Sequence, residues 1–171
     1  MKELLDKITS YNLFNYLLPG VLFAVLATKF TRFSLIQPDI IVGAFVYYFI
    51  GLVISRLGSL LLEPFLKLVR FVKFADYDKY VAACKVDEKI DVLSEQNNSY
   101  RTLAAVFACL LLVKAYEMLE SRVAFLTHRG TLVAIALLLM MFLLSYRKQT
   151  KYITKRVKAA TGDDKAKAAR A

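Results

Sequence analysis

Four ionisable residues lie within or beside apolar stretches of this sequence, and chemistry would be sought there first: Arg56, Glu63, Lys114 and Glu117. Arg56 and Glu63 are seven residues apart, so a regular helix sets them on nearly one face. Lys114 and Glu117 are three apart and can pair along a helix. Ionisable groups inside a lipid-embedded span suggest an ion or proton path. All four, however, fall near the ends of their apolar blocks, where long side chains reach water and pairs serve structure. Asn12 and Asn15, near the start of the first block, are the other candidate polar groups.

Other chemistries lack their residues. His128 is the only histidine, and neither an HExxH run nor a Cys/His cluster accompanies it. None of the serines stands in a G-x-S-x-G setting. The six glycines are scattered and form no phosphate-cradling loop. Cys84 lies in a polar segment and Cys109 in an apolar one, so both read as free thiols. Neither an enzyme nor a cofactor is expected.

The elements that would carry these residues are helices solvated by lipid. Fifty-eight per cent of the 171 residues are apolar and the mean hydropathy is +0.48, above soluble proteins. The excess is gathered in blocks. Spans are expected over 9–29, 40–62, 101–119 and 130–147. The first apolar block, Ile8 to Thr28, is uncharged over 21 residues, about 31 Å of helix against a hydrocarbon core of about 30 Å. The leader is amphipathic and mixed in charge, unlike a cleavable signal peptide. Pro19-Gly20 interrupts the first block, where a packing kink is the simpler reading and a hinge at a site the sharper one. Gly51, Ser55 and Ser59 recur every four residues, and Ala104 and Ala108 do the same in the third block. Such small-residue ridges let helices approach closely.

Between the second and third spans, 64–100 reads as a cytoplasmic segment. Lys67, Arg70 and Lys73 recur every three residues among apolar ones, the pattern of an amphipathic helix lying in the interface with its cations at lipid phosphates. A short polar helical element follows, ending near Gln96-Asn97-Asn98-Ser99, which could cap the third span. The tail, 148–171, is basic. The fold class expected is therefore all-α: four transmembrane helices, an interfacial helix and a short cytoplasmic helical segment.

Charge gives the orientation. With four spans, 19 of the 24 Lys and Arg residues fall on one side and five on the other. The cationic side faces the cytoplasm, so both termini are expected inside an inner membrane. The formal charge of +10 then has anionic headgroups as its partner rather than nucleic acid, for which no recognition module is present. Two functional readings remain open. One is a non-enzymatic membrane component that self-associates or anchors a cytoplasmic protein. The other is a small oligomeric pore, a transporter, or a membrane-disrupting effector of the kind bacterial defence systems use, a comparison of size and topology alone.

Overall fold

The computed structural model describes residues 13–120 and 124–161. Asn12, the leader before it and the end of the basic tail lie outside the described residues. A π-helical turn, Leu13–Leu17, leads into α1 (Leu18–Phe30). α2 (Ile40–Leu57) continues through a second π-turn, Gly58–Leu62, into α3 (Glu63–Leu68). α4 (Tyr77–Cys84) is short, whereas α5 (Lys89–Glu120) and α6 (Ala124–Thr161) are long. No strand occurs among the described residues. Ile40–Leu68, Lys89–Glu120 and Arg129–Ala159 are long and apolar enough to cross a bilayer, and a shorter apolar helix, Asn15–Phe30, packs with them. This is the architecture of an all-α, polytopic membrane protein.

Local sequence accounts for the helix boundaries. Asp39 caps α2, its carboxylate accepting from the Ile41 and Val42 amides at 2.9 and 2.8 Å. Each π-turn ends two residues before a proline, Pro19 or Pro64. A proline ring crowds the carbonyl four residues back and offers it no N–H; a widened turn moves that carbonyl aside. The disturbance expected at Pro19 is thus taken up as a local widening at the start of α1.

Three expectations need correction. The interfacial helix foreseen from Pro64 to Phe74 stops at Leu68. Phe71 N–H donates to the Leu66 carbonyl at 2.9 Å and Arg70 N–H to that of Lys67 at 3.1 Å, the paired bonds of a Schellman cap. Arg70 fills the left-handed position, with φ 59°. Second, Gln96–Ser99 do not cap the third span. They are helical, because α5 contains neither glycine nor proline to stop it, and it runs unbroken for 32 residues, about 48 Å. Third, α6 does not end with its apolar block. It carries the basic sequence on to Thr161, giving 38 residues and about 57 Å.

The helices pack up and down. Tyr16 meets Tyr48 ring to ring at 5.5 Å, and α1 crosses α2 with Gly20 against Gly51. A Cβ on Gly20 would overlap the Tyr47 carbonyl, and one on Gly51 would overlap that of Tyr16, so only glycine permits this approach. α5 runs alongside α1: Thr102 reaches Asn15 at one end, and Glu117 and Glu120 reach Arg32 at the other. α6 follows α2, with Phe49 6.1 Å from Phe142 and Lys148 on Ser59. The core is Phe23, Ala27, Ile54, Ala105, Val106 and Cys109. The small face that packs on α5 is therefore Ala105 and Cys109; Ala104 is exposed and Ala108 half-buried. Gly51 and Ser55 are buried and Ser59 is half-buried, so that ridge does face the bundle.

Gly20→Ala or Gly51→Ala should force α1 and α2 apart and destabilise the protein by about 2 kcal/mol. Ala104→Leu, on the uncovered face, should change stability by less than about 0.5 kcal/mol. Melting of the three variants in one detergent gives the comparison, and an Ala104→Leu loss as large as the glycine losses would refute the packing.

Candidate functional site

Polar side chains gather in three groups. The densest group lies where α3 begins. Glu63 is buried there, 7 % exposed. Its Oε1 accepts from Lys67 Nζ at 2.8 Å, one turn along α3. Its Oε2 accepts from Arg101 on α5 at 2.9 Å. Lys148 on α6 brings its Nζ to 3.9 Å from Oε1 and donates to the Ser59 carbonyl and hydroxyl at 2.6 and 2.7 Å. One carboxylate thus joins three separate helical stretches. Desolvation makes a lone buried carboxylate costly, and two direct charge-assisted bonds offset that cost here.

A neutral group adjoins it, centred on the residue after Arg101. Thr102, Ser55 and Asn15 are all buried. Thr102 donates to the Asn98 carbonyl at 2.9 Å, and its Oγ1 lies 3.2 Å from Asn15 Oδ1 and 3.3 Å from Ser55 Oγ. A hydroxyl has one proton and two lone pairs, so Thr102 serves as the hub that α1, α2 and α5 share. Asn15 and Ser59 both sit in the π-turns, which aim polar side chains inward.

The third group closes the opposite end. Lys114 donates to Glu117 Oε2 at 2.6 Å, and Glu117 Oε1 accepts from the Arg32 amide at 2.9 Å. The Arg32 guanidinium pairs with Glu120. These groups tie the α1–α2 connection to the end of α5.

The sequence-derived candidates therefore separate. Lys114 and Glu117 do meet. Arg56 and Glu63 do not: the π-turn between them holds extra residue per turn, and the face shared in a regular helix is lost. Lys67 turns to Glu63 and to the Phe74 ring, 4.1 Å from its centroid, instead of joining a stripe with Arg70 and Lys73. Arg70 caps α3, and Lys73 lies in irregular chain beyond it. Pro19 and Gly20 serve the α1–α2 crossing. The residues not foreseen are Arg101, Thr102, Ser145 and Lys148. Arg101 immediately precedes the third apolar block and Lys148 is the second cation after the fourth, so flanking charge was the available signal. Among the described residues, no group of three or more His, Cys, Asp or Glu side chains could hold a metal ion.

Fold and polar layers together define a multi-helix membrane protein whose charges are confined to the two ends of the bundle. No protein-family model, curated protein or solved structure matches the chain.

Glu63→Gln should destabilise the protein by ~3 kcal/mol, as expected when buried cations lose their counter-charge. Lys67→Gln should cost less, because Lys67 is 42 % exposed and water screens its charge. Unfolding in detergent followed by circular dichroism tests the order, and equal losses for the two would argue against Glu63 as the hub.

Proposed function

We propose that this chain is a non-enzymatic, multi-pass component of the inner membrane, with both termini in the cytoplasm, which self-associates through its cytoplasmic face. The observation that carries the reading is a helical element beyond the membrane-spanning part, with apolar residues left uncovered. α5 continues about 18 Å past Arg101 toward its own N-terminus. Val92, Leu93 and Tyr100 are exposed along it, and Val86 stands just before it, 89 % exposed. Lipid would cover such residues within the bilayer, but these lie among Asp87, Glu88, Asp91 and Glu95, which belong in water.

Charge favours a second copy as the occupant. The segment 76–95 holds six acidic residues against three basic ones, while the α6 extension presents Arg147, Lys151, Lys155, Arg156 and Lys158. The acidic element of one copy complements the basic helix end of another. The orientation is supported by the positive-inside bias, since the Glu63 end and the basic extension lie on the same side of the bundle.

The arrangement of polar groups favours this reading over a conduit. Between the Glu63 group and the Arg32 group, the bundle interior is filled by Phe23, Ala27, Ile54, Ala105, Val106 and Cys109. Asn15 turns to Thr102 inside the bundle rather than toward an open path.

The paired variant Val92→Asp with Leu93→Asp should lower the assembled fraction of detergent-purified protein about tenfold or more, read by light scattering across a concentration series. A monomer at every concentration with a soluble protein co-purifying would make the occupant heterologous. Dye leakage from vesicles loaded with the wild-type chain would favour the pore instead. Cys84, half-buried in α4, should react with a membrane-impermeant maleimide only from the cytoplasmic side; labelling from the periplasm would invert the topology.

A further inference from the structure

Beside the Glu63 group, a small cleft, partly open to solvent, separates the α2 end of the bundle from α6. Arg56, Ser59, Ser145, Lys148, Gln149 and Tyr152 line it. Among the described residues no carboxylate lines it, and every polar side chain in it carries an N–H or O–H donor. Arg56 makes no ion pair among the described residues, and its charge bears on the Lys148 ammonium. Lys148 has three protons; two go to Ser59, and Glu63 Oε1 at 3.9 Å is too distant to take the third as a hydrogen bond. Ser145 is buried, 9 % exposed, and its hydroxyl has no hydrogen-bond partner among the described residues. A buried hydroxyl without a partner is unfavourable unless something in the cleft accepts from it.

The balance of charge points the same way. Lys67, Arg101 and Lys148 gather around a single carboxylate, Glu63, and the Arg56 charge bears on Lys148. Lys67 and Arg101 bond that carboxylate directly, which leaves Lys148 with a 3.9 Å contact to it and Arg56 with no ion pair among the described residues. A planar guanidinium beside an ammonium and two hydroxyls matches the oxygens of a phosphate group, and a basic recess between membrane helices on the cytoplasmic side is suited to a phosphorylated headgroup.

We propose that this cleft binds the phosphate group of an anionic ligand, with Arg56 and Lys148 neutralising its charge and the Ser59 and Ser145 hydroxyls donating to its oxygens. The inference rests on the preceding reading only in placing this end of the bundle at the membrane–water boundary; it does not depend on self-association. The phosphate can come from a lipid headgroup or from a soluble anion, and the recognising chemistry is the same.

The test uses the full chain in a neutral maltoside detergent at low salt, with thermal shift as readout. Three probes are titrated: inorganic phosphate, dihexanoyl phosphatidic acid, and dihexanoyl phosphatidylcholine as the zwitterionic control. Phosphate or phosphatidic acid should raise the melting temperature saturably, and phosphatidylcholine should not. A response to phosphatidic acid alone identifies a lipid headgroup; an equal response to inorganic phosphate identifies a soluble anion. Arg56→Gln should weaken binding about tenfold or more, and Ser145→Ala about two- to fivefold. Arg56→Lys, which keeps the charge and the fold but loses the fork, should fall between wild type and Arg56→Gln, and serves if the glutamine variant does not fold. The proposal is overturned if neither anionic probe shifts the wild type, if phosphatidylcholine shifts it equally, or if the Arg56 and Ser145 variants bind like the wild type. Since each outcome is read on isolated protein, it stands apart from whether the chain assembles.

Discussion

The structure depends most on the placing of one buried carboxylate. Glu63 sits where α3 begins, and its two oxygens are bonded to Lys67 on its own helix and to Arg101 on α5, with Lys148 of α6 close by. In a medium of low polarity such a group must be held by opposite charge or take up a proton, so the three helices are brought together around it. The consequence is largest for α6. Only 6 % of its most apolar stretch is buried inside the bundle, and dispersion contacts along its length are correspondingly few. Its attachment comes from Phe142 on Phe49, buried Met141, and Lys148 against Ser59 and Glu63. Lipid covers the remaining faces equally well in any rotation, so the polar end is what fixes the rotation of α6.

Close approach of backbones does the same for α1 and α2. The facing glycines at 20 and 51 remove the side chains that would hold the helices apart. Close packing then buries Pro19 and Asn15 together with Ser55. Burial obliges those polar atoms to find partners, and Thr102 on α5 is within reach. The small-residue crossing and the neutral polar layer are therefore linked: the first creates the dry interior that makes the second directional.

Much of the architecture could be read from the residues because spans and charge bias are additive properties of long windows. The all-α class, the long apolar helices that include 40–62 and 130–147, and the Lys114–Glu117 pair needed only periodicity and hydropathy. What escaped were features set by continuity or by partners distant in sequence. Whether the helix stops at Gln96–Ser99 depends on the cooperative extension of α5, and four residues of moderate propensity do not interrupt a helix anchored by packing further on. The stop at Leu68 turned on Arg70 accepting a left-handed conformation, which composition favours in glycine and not in arginine. The expected Arg56–Glu63 alignment assumed 3.6 residues per turn, and the π-turn at Gly58–Leu62 broke that assumption. Arg101 and Lys148 were visible only as flanking charge, because nothing local assigns them to a glutamate 38 or more residues away.

That same π-turn ties the structural and the ligand-facing roles of this end together. By rotating Arg56 out of register with Glu63, it denies the carboxylate a fourth cation and leaves the guanidinium on the cleft wall. Were Arg56 in register, Glu63 would face Arg56, Lys67 and Arg101 together, and the cleft would keep only Lys148, most of whose protons go to Ser59. Pro64, whose ring demands the widened turn, therefore does more than shape a helix. It divides the cations into those that hold the bundle together and those left to meet an anion from outside.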